Sequence, residues 1–186
     1  DLPVSIDTFR SSVAARTIHK YGKVIINDIS AGELDPLIVD VAAEHDVPYV
    51  AMHMKGDPRT MQSMTDYRDI VAEVVDYFRE RTAQLRERGV RRIVVDPGFG
   101  FAKTLEQNYE LLRGLHRLAE LGYPVLAGVS RKSMIYKLLG TTPAEALNGT
   151  TALHWECLRQ GAVILRAHDT REAVEVVRMF DQFMQA

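Results

Sequence analysis

The stretch that decides the fold is RIVVDPGFGF, residues 92–101, in which an apolar run passes directly into Asp96 and a glycine-rich turn. Five other stretches repeat this plan of a short apolar strand that ends in a polar cluster: VSIDT (4–8), VIINDIS (24–30), YVAMHM (49–54), VLAGVSRKS (125–133) and VILRAHD (163–169). A segment with helical periodicity follows each of them, and such alternation is typical of a parallel β/α fold. We therefore predict strands near 4–7, 24–29, 48–54, 92–96, 124–129 and 162–167.

The predicted strands are almost continuously apolar, as parallel strands covered on both faces usually are. The longest predicted helix, residues 67–88, is amphipathic. We expect its apolar stripe to lie in the core: Ile70, Val71, Val74, Val75, Phe78 and Leu85. Three pairs have the spacing of a helix capping box: Ser30 with Glu33, Thr104 with Gln107, and Thr142 with Glu145.

Composition excludes several classes of protein. With 186 residues, 46% of them hydrophobic, and no evident linker, a single domain over residues 1–186 is expected. The formal net charge of −2 argues against a nucleic-acid partner. No apolar stretch approaches the roughly 18–20 residues that cross a bilayer, so no membrane partner is expected. The single Cys157 excludes an internal disulfide framework, is expected to be a buried and inert thiol, and favours a reducing compartment such as the cytoplasm.

The polar strand ends are the candidate site, because parallel β/α folds build their sites at the carboxyl ends of the strands. Asp96 ends an apolar strand, where a carboxylate is costly unless it is paired or binds a ligand. Gly98 and Gly100 allow backbone to approach a ligand closely, and Phe101 offers a ring to a flat substrate. The alternative for this segment is an ordinary glycine-rich turn with a capping aspartate.

Two later strand ends carry cations. Residues 130–133, SRKS, lie at the start of a helix and favour an anion, although Ser130 as a simple N-cap is the alternative. Arg166 and His168 are two residues apart and therefore share one side of their strand. The guanidinium of Arg166 can stack on a ring or bind an anion, and His168 can donate to phosphate oxygens. Asp169 is predicted to cap the next helix.

The early strand ends carry acids and an amide. Asn27 suits the edge of a heterocycle, since an amide both donates and accepts hydrogen bonds. Asp7 can stabilise positive charge, whereas Asp28 faces the opposite side from Asn27 and is expected to be structural. Met52 and His53 end the third strand, and His53 is more often structural than catalytic at such a place. Without a nucleophile or zinc-binding motif, these clusters favour electrostatic catalysis on a bound ring.

The ordered set SIDT, INDI, MHM, DPGFGFAKT, GVSRKS and RAHD resembles the dihydropteroate synthase family, over essentially the whole chain. The resemblance implies a (β/α)8 TIM barrel, and hence an α/β fold class. It implies a transferase that joins 6-hydroxymethyl-7,8-dihydropterin diphosphate to 4-aminobenzoate in folate biosynthesis and releases diphosphate. The same aminobenzoate subsite is the sulfonamide target in this family.

The resemblance also implies residue roles. Asn27, Asp96 and Lys132 would hydrogen-bond the pterin, Arg166 would stack on it, and Met52 would pack nearby. Asp7 and Lys132 are the implied catalytic residues, with Asp7 stabilising a cationic pterin methylene on an SN1-like path. The implied substrate-binding positions are Asn27, Met52, Asp96, Phe101, Gly128, Ser130, Lys132, Arg166 and His168. Of these, His168 would contact the departing diphosphate, and Ser130 the aminobenzoate carboxylate.

The visible βα units number about six and resemble strands three to eight of the family barrel. The chain begins Asp1-Leu2-Pro3 and enters a strand at once, so we expect it to be part of a longer chain. The absent N-terminal part would hold the ligand for Mg²⁺, the cofactor that the resemblance implies; no metal ligand is predicted within this chain. We expect the 186 residues alone to be inactive or impaired, and the whole protein to be a homodimer.

Three other interpretations stay open. A pterin-dependent methyltransferase barrel, working with a corrinoid partner, would share the acids and the amide, although SRKS with RAHD favours the synthase. A non-catalytic pterin-binding module would retain Asn27, Asp96, Lys132 and Arg166. An open doubly wound sheet is the architectural alternative, although it normally shows a glycine-rich phosphate fingerprint after its first strand.

Overall fold

Short parallel strands and helices alternate along the chain, as the sequence predicts. The structure is a computed structural model that describes residues 2–57 and 59–185, so Asp1 lies outside the described residues. The strands in these ranges are β1 (Ser5–Asp7), β2 (Ile25–Asp28), β3 (Tyr49–Met52), β4 (Ile93–Asp96), β5 (Leu126–Ala127) and β6 (Ile164–Leu165). The helices are α1 (Ser11–Tyr21), α2 (Leu37–Glu44), α3 (Ile70–Glu87), α4 (Leu105–Arg113), α5 (His116–Ala119), α6 (Ser133–Leu139), α7 (Leu147–Arg159) and α8 (Thr170–Gln185). Two short 3₁₀ turns span Met61–Ser63 and Pro143–Glu145.

The strands lie side by side in chain order. Strands β1 to β4 pair in parallel as β1-β2-β3-β4, and β5 pairs in parallel with β6. A parallel bridge between Val95 and Val125 joins β4 to β5. Sequential parallel order with a helix on each crossover is the arrangement by which β/α barrels are built.

Strand register places the polar strand ends next to one another. Asp7 is aligned with Asn27 across β1 and β2, and Met52 with Asp96 across β3 and β4. Because all strands run in the same direction, their carboxyl ends meet at one edge of the sheet. The candidate residues of the sequence analysis are thereby brought to one place.

The two outermost strands depart from the prediction of full burial. Side chains of β1 alternate between exposed and half-buried, and Ile164 of β6 is 38% exposed, whereas every residue of β3 is buried. Among the described strands, each outer strand has a partner on one side only, so less of its surface is covered. Strand β6 is also shorter than the predicted 162–167.

The longest helix confirms the predicted amphipathic pattern. All six residues of the predicted stripe of α3 are buried, and Asp69 caps the helix by accepting a hydrogen bond from Ala72 N at 2.9 Å. The capping box of Thr104 and Gln107 begins α4, and that of Thr142 and Glu145 begins the second 3₁₀ turn. Cys157 is fully buried, as predicted, and burial raises the pKa of its thiol to about 12, which disfavours the reactive thiolate.

The predicted capping box at Ser30 is wrong. Asp28 binds this segment instead: its carboxylate accepts hydrogen bonds from the Ser30 backbone and hydroxyl, both at 2.8 Å, and from Gly32 N at 2.7 Å. These bonds hold a turn, and α2 begins only at Leu37. The Tyr49 hydroxyl also donates to Asp28 at 2.6 Å, so the expected structural role of Asp28 is confirmed. No helix in the described part of the chain is long and apolar enough to cross a membrane.

Candidate active site at the carboxyl ends of the strands

Two cavities meet at Arg166. The larger, of about 520 Å³, is lined mainly by the inward-facing side chains of the strands, with Asp7 and Asn27 at its polar end. The smaller, of about 250 Å³, is lined by Gly128, Ser130, Lys132, Arg166, Ala167 and His168. An apolar chamber beside a polar one suits a ligand with a flat ring and a charged group.

The polar end of the larger cavity is built by β1 and β2. Asn27 donates a hydrogen bond from Nδ2 to Asp7 Oδ1 at 3.1 Å. Asn27 is buried and Asp7 is exposed, so the carboxylate is accessible to a ligand while the amide is held by it. The bond orients the remaining amide oxygen as an acceptor.

Asp96 ends β4 and is only 1% exposed. Its Oδ1 accepts a hydrogen bond from Gly98 N at 2.8 Å, whereas its buried Oδ2 has no hydrogen-bond partner among the described residues. The nearest cation is Arg166, whose Nη2 lies 3.6 Å from Oδ2. A buried carboxylate oxygen without a donor is costly, so Asp96 is poised to accept a hydrogen bond from a ligand.

Lys132 approaches the same place from the loop after β5. Its Nζ donates to the backbone oxygen of Phe99 and lies 4.8 Å from the centre of the Phe101 ring. Burial lowers the pKa of Lys132 to about 8; the carboxylate of Asp96 opposes this shift and Arg166 adds to it. The ammonium is therefore charged at neutral pH but close to its titration point.

Two glycines allow close packing of the atoms around the site. A Cβ on Gly98, whose φ is +69°, would lie 2.1 Å from the backbone oxygen of His53. At Gly128 a Cβ would lie 3.0 Å from Arg166 Nη2, because the guanidinium rests against the backbone there. The turn after Asp96 and the position of Arg166 therefore require residues without a Cβ at Gly98 and Gly128.

Ser130 and His168 link the ends of β5 and β6. The Ser130 Oγ and the His168 Nδ1 are 2.9 Å apart, and His168 N donates to the same Oγ at 3.1 Å. His168 is exposed at the mouth of the smaller cavity, as suits a group that meets an anion. Of the two cations in SRKS, only Lys132 faces the site, whereas Arg131 binds Asp169. Asp169 directly precedes α8, and both of its carboxylate oxygens accept hydrogen bonds from Arg131.

Sequence reasoning missed Lys103. This side chain is 6% exposed, and its Nζ contacts Gly98 O at 3.1 Å, Phe101 O at 2.9 Å and His53 Nδ1 at 3.1 Å. Burial lowers the pKa of Lys103 to about 7, although Asp96 opposes that shift. Burial also holds the pKa of His53 well below its usual value. The lysine in the segment DPGFGFAKT was the available signal. The sequence pattern did not show that its amine would bind the backbone oxygens of the glycine-rich turn.

Met52 and Phe101 complete the candidate set. Met52 is buried at the end of β3 beside Asp96, and Phe101 is half-buried at the end of the glycine-rich turn. The described residues contain no group of three or more His, Cys, Asp or Glu side chains that could hold a metal ion. Among these residues, therefore, no donor set fits the Mg²⁺ that the resemblance implies.

Acid, amide and cation around an apolar chamber, at the carboxyl ends of parallel strands, define a ligand-binding protein of the parallel β/α-barrel class. A profile described as pterin binding enzyme matches residues 1–168. The chain belongs to the pterin binding enzyme family.

Individual relatives agree with this assignment. The dihydropteroate synthase of Synechocystis sp. is 42% identical over 184 residues, which covers 97% of this chain and 63% of that protein. Dihydropteroate synthase from Thermus thermophilus in complex with 4-aminobenzoate superposes with a TM-score of 0.93 at 40% identity, covering 97% of this chain and 74% of that one. The Xanthomonas albilineans enzyme in complex with 7,8-dihydropteroate gives a TM-score of 0.89 at 38% identity, covering all of this chain and 68% of that one.

These likenesses confirm the resemblance to the dihydropteroate synthase family and the predicted fold class. The fold is a partial (β/α)8 barrel. The chain spans 63% of the length of the Synechocystis relative.

Proposed function

We propose that this chain forms most of the active site of a dihydropteroate synthase, a transferase of folate biosynthesis. The substrates would be 6-hydroxymethyl-7,8-dihydropterin diphosphate and 4-aminobenzoate, and the products 7,8-dihydropteroate and diphosphate. The observation that carries the proposal is the buried Oδ2 of Asp96, which lacks a donor at the base of a polar cluster. The aminopyrimidinone edge of a pterin carries N–H groups that match this acceptor.

The remaining strand-end groups fit the same ring. The Asn27 amide, held by Asp7, would pair with a donor or acceptor on the pterin edge, and Lys132 would donate to a ring oxygen or nitrogen. The guanidinium of Arg166 would stack on the ring face, with the backbone at Gly128 behind it. Met52 would pack beside the ring. Support comes from the Xanthomonas albilineans relative, which was solved with 7,8-dihydropteroate.

The chemistry needs no protein nucleophile. On the proposed SN1-like path, the bond between the pterin methylene carbon and the diphosphate oxygen breaks, and the diphosphate leaves with the bonding electrons. Asp7, exposed at the mouth of the larger cavity, would stabilise the cationic methylene. His168 would contact the diphosphate as it leaves. The aniline nitrogen of 4-aminobenzoate then forms the new C–N bond and releases a proton to solvent.

The second substrate would occupy the smaller cavity. Phe101 and the methylene chain of Lys132 offer apolar surface to its ring, and the hydroxyl of Ser130 would contact its carboxylate. Support comes from the Thermus thermophilus relative, which was solved with 4-aminobenzoate. A sulfonamide, similar in shape and charge, would compete at this place.

The proposal extends to the whole protein. Residues 1–186 would form one partial barrel domain, and the ligand for Mg²⁺ would lie in a preceding segment. We propose a cytoplasmic homodimer. Exposed apolar side chains that lie apart from the site support an association surface: Leu138, Leu139, Met179, Phe183 and Met184.

The test is to incubate the 186-residue chain, and a chain extended at its N-terminus by about two βα units, with both substrates and Mg²⁺. Formation of dihydropteroate and diphosphate in equal amounts by the extended chain is the expected result. An extended chain that binds the pterin tightly by calorimetry without turnover would instead be a binding module. Methyl transfer to a corrinoid acceptor, without diphosphate release, would assign the chain to the methyltransferases.

A further inference from the structure

The loops after β5 and β6 are joined by one ion pair outside the proposed substrate contacts. Arg131 Nε donates to Asp169 Oδ2 at 2.9 Å, and Arg131 Nη2 donates to Asp169 Oδ1 at 2.7 Å. The two side chains are 24% and 17% exposed. The guanidinium of Arg131 holds the pKa of Asp169 below its usual range, so the pair is ionised throughout the neutral range.

Arg131 also makes three hydrogen bonds besides those to Asp169. Its Nη1 donates to the backbone oxygens of Pro143 and Ala144, at 2.9 and 2.7 Å, and its backbone N donates to Thr150 Oγ1 at 3.0 Å. Its φ is +54°, in the left-handed region that disfavours a residue with a Cβ. A costly backbone conformation persists where surrounding contacts stabilise it, and here those contacts reach three separate segments.

The neighbours of this pair are the residues that face the site. Ser130 precedes Arg131 and Lys132 follows it, while His168 precedes Asp169. The Ser130–His168 contact and the Arg131–Asp169 ion pair therefore form two consecutive links between the same two loops. Lys132 lies on the loop at one end of both links, and Arg166 and His168 lie at the other.

We infer that Arg131 and Asp169 are positioning residues, which hold the loop of Ser130 and Lys132 against the loop of Arg166 and His168 in the geometry of the two substrate subsites. The inference rests on the proposed function for its effect on turnover. Neither residue is assigned a contact with substrate. A misplacement of about 1 Å in such a loop can cost about 100-fold in rate.

The experiment compares Arg131→Met, Asp169→Asn and the double variant, in the chain that is active in the assay above. We expect each single variant to lower kcat/KM for 4-aminobenzoate by about 10- to 100-fold. Because both changes remove one link, the double variant should be no worse than the poorer single variant. Losses that multiply in the double variant, or singles within twofold of the parent, would overturn the inference.

A matched control lies on α7. Arg159 and Glu156 form an ion pair of the same two-bond geometry, at 2.7 and 2.8 Å, away from both cavities. Arg159→Met should leave kcat/KM within twofold of the parent. An equal loss in this control would show that the effect is one of general stability, against the inference.

Chemical rescue separates positioning from folding. Glycine adopts a φ of +54° without strain, so Arg131→Gly removes the guanidinium while the backbone conformation stays accessible. Added guanidinium ion at millimolar concentration should restore part of the lost kcat/KM, whereas ammonium should not. Equal recovery with both cations, or none with either, would contradict a role for the ion pair.

A readout without substrates distinguishes failure of this inference from failure of the proposed function. The His168 amide donates to Ser130 Oγ, so its hydrogen exchange reports the contact of the two loops. Exchange at His168 should accelerate in Arg131→Met and not in Arg159→Met. If the parent lacks synthase activity, the proposed function fails while this measurement still decides the positioning role; unchanged exchange in Arg131→Met would refute it.

Discussion

Asp96 and Lys132 place a carboxylate and an amine close together at the site. Asp96 is buried at the end of β4, and its Oδ2 has no hydrogen-bond donor among the described residues. The half-buried amine of Lys132 lies near Asp96, Arg166 and the Phe101 ring. Groups of this kind gain most from a ligand that supplies the missing partner. Their removal is therefore the most direct test of the proposed pterin subsite.

We expect Asp96→Ala and Lys132→Ala each to lower kcat/KM by a factor of at least about 100, because each removes a polar group proposed to bind the pterin. Steady-state kinetics on the active chain measures this. Lys137→Ala, an exposed lysine on α6, is the matched control and should have little effect. Near-parental activity in Asp96→Ala or Lys132→Ala would remove that residue from the site.

The lowered pKa of Lys132, about 8, predicts an alkaline limb in the pH profile. The amine is protonated below this pKa and neutral above it, so kcat/KM should fall as pH rises through about 8, since this parameter reports the free enzyme. Lys132→Arg keeps its charge far above that pH, so any activity it retains should lack the limb. A limb that persists unchanged in Lys132→Arg would assign the titration to another group.

Lys103 should make stability depend on pH. Its pKa is about 7 in the folded chain, against about 10.4 in the unfolded chain, so the unfolded state binds more protons between these values. The free energy of unfolding should therefore rise with pH, by at most about 1.4 kcal/mol per unit. Urea unfolding at pH 7 and pH 9 should show a parent gain of about 2 kcal/mol that Lys103→Met lacks. Equal gains in both proteins would refute the assignment.

The glycine-rich turn after β4 is the element on which the site is assembled. In this turn the Phe101 ring lies beside Lys132, and the backbone oxygen of Phe99 accepts a hydrogen bond from Lys132. Lys103 donates to the backbone oxygen of Gly98 in the same turn. Its conformation requires a residue without a side chain at Gly98, where the backbone of His53 lies against the turn.

Gly98→Ala should lower the free energy of unfolding by about 3 kcal/mol or more, because its Cβ would lie 2.1 Å from His53 O at a φ of +69°. Gly122→Ala is the matched control, since its φ is +79° but nothing lies within 4 Å of the added Cβ. That variant should cost only about 1 kcal/mol, from backbone strain alone. Similar losses in the two variants, measured by urea unfolding, would show that the contact with His53 does not matter.

Strands β1 and β6 are the outermost of the described strands, and the Synechocystis relative is longer than this chain. Outer parallel strands expose unpaired backbone groups. The apolar residues just before these two strands are also exposed, Val4 at 59% and Val163 at 67%. We expect N-terminal extension by about two βα units to raise the thermal midpoint and to raise kcat/KM markedly. Calorimetry and the synthase assay check this; full activity in the 186-residue chain would refute it.

Much of the fold could be predicted from local signals. The six strands lie where apolar runs were followed by polar clusters, and α3 buries the stripe that its periodicity indicated. The capping box predicted from the spacing of Ser30 and Glu33 was wrong, because the Asp28 carboxylate binds the Ser30 backbone and stabilises a turn there. Asp28 is also bound by the hydroxyl of Tyr49, 21 residues away, and a capping pattern read within four residues carries no sign of that contact.

The sequence by itself determined the alternation of strands and helices and the chemical character of each strand end, since both follow from periodicity and from residues adjacent in the chain. Only the tertiary structure decided which strand ends meet. Arg166 faces Asp96, Lys103 supports the turn from beneath and contacts His53, 50 residues away, and Arg131 binds Asp169, 38 residues away. Such pairings depend on strand register and on burial, which place residues distant in sequence within hydrogen-bonding distance and leave no mark in the local pattern of either residue.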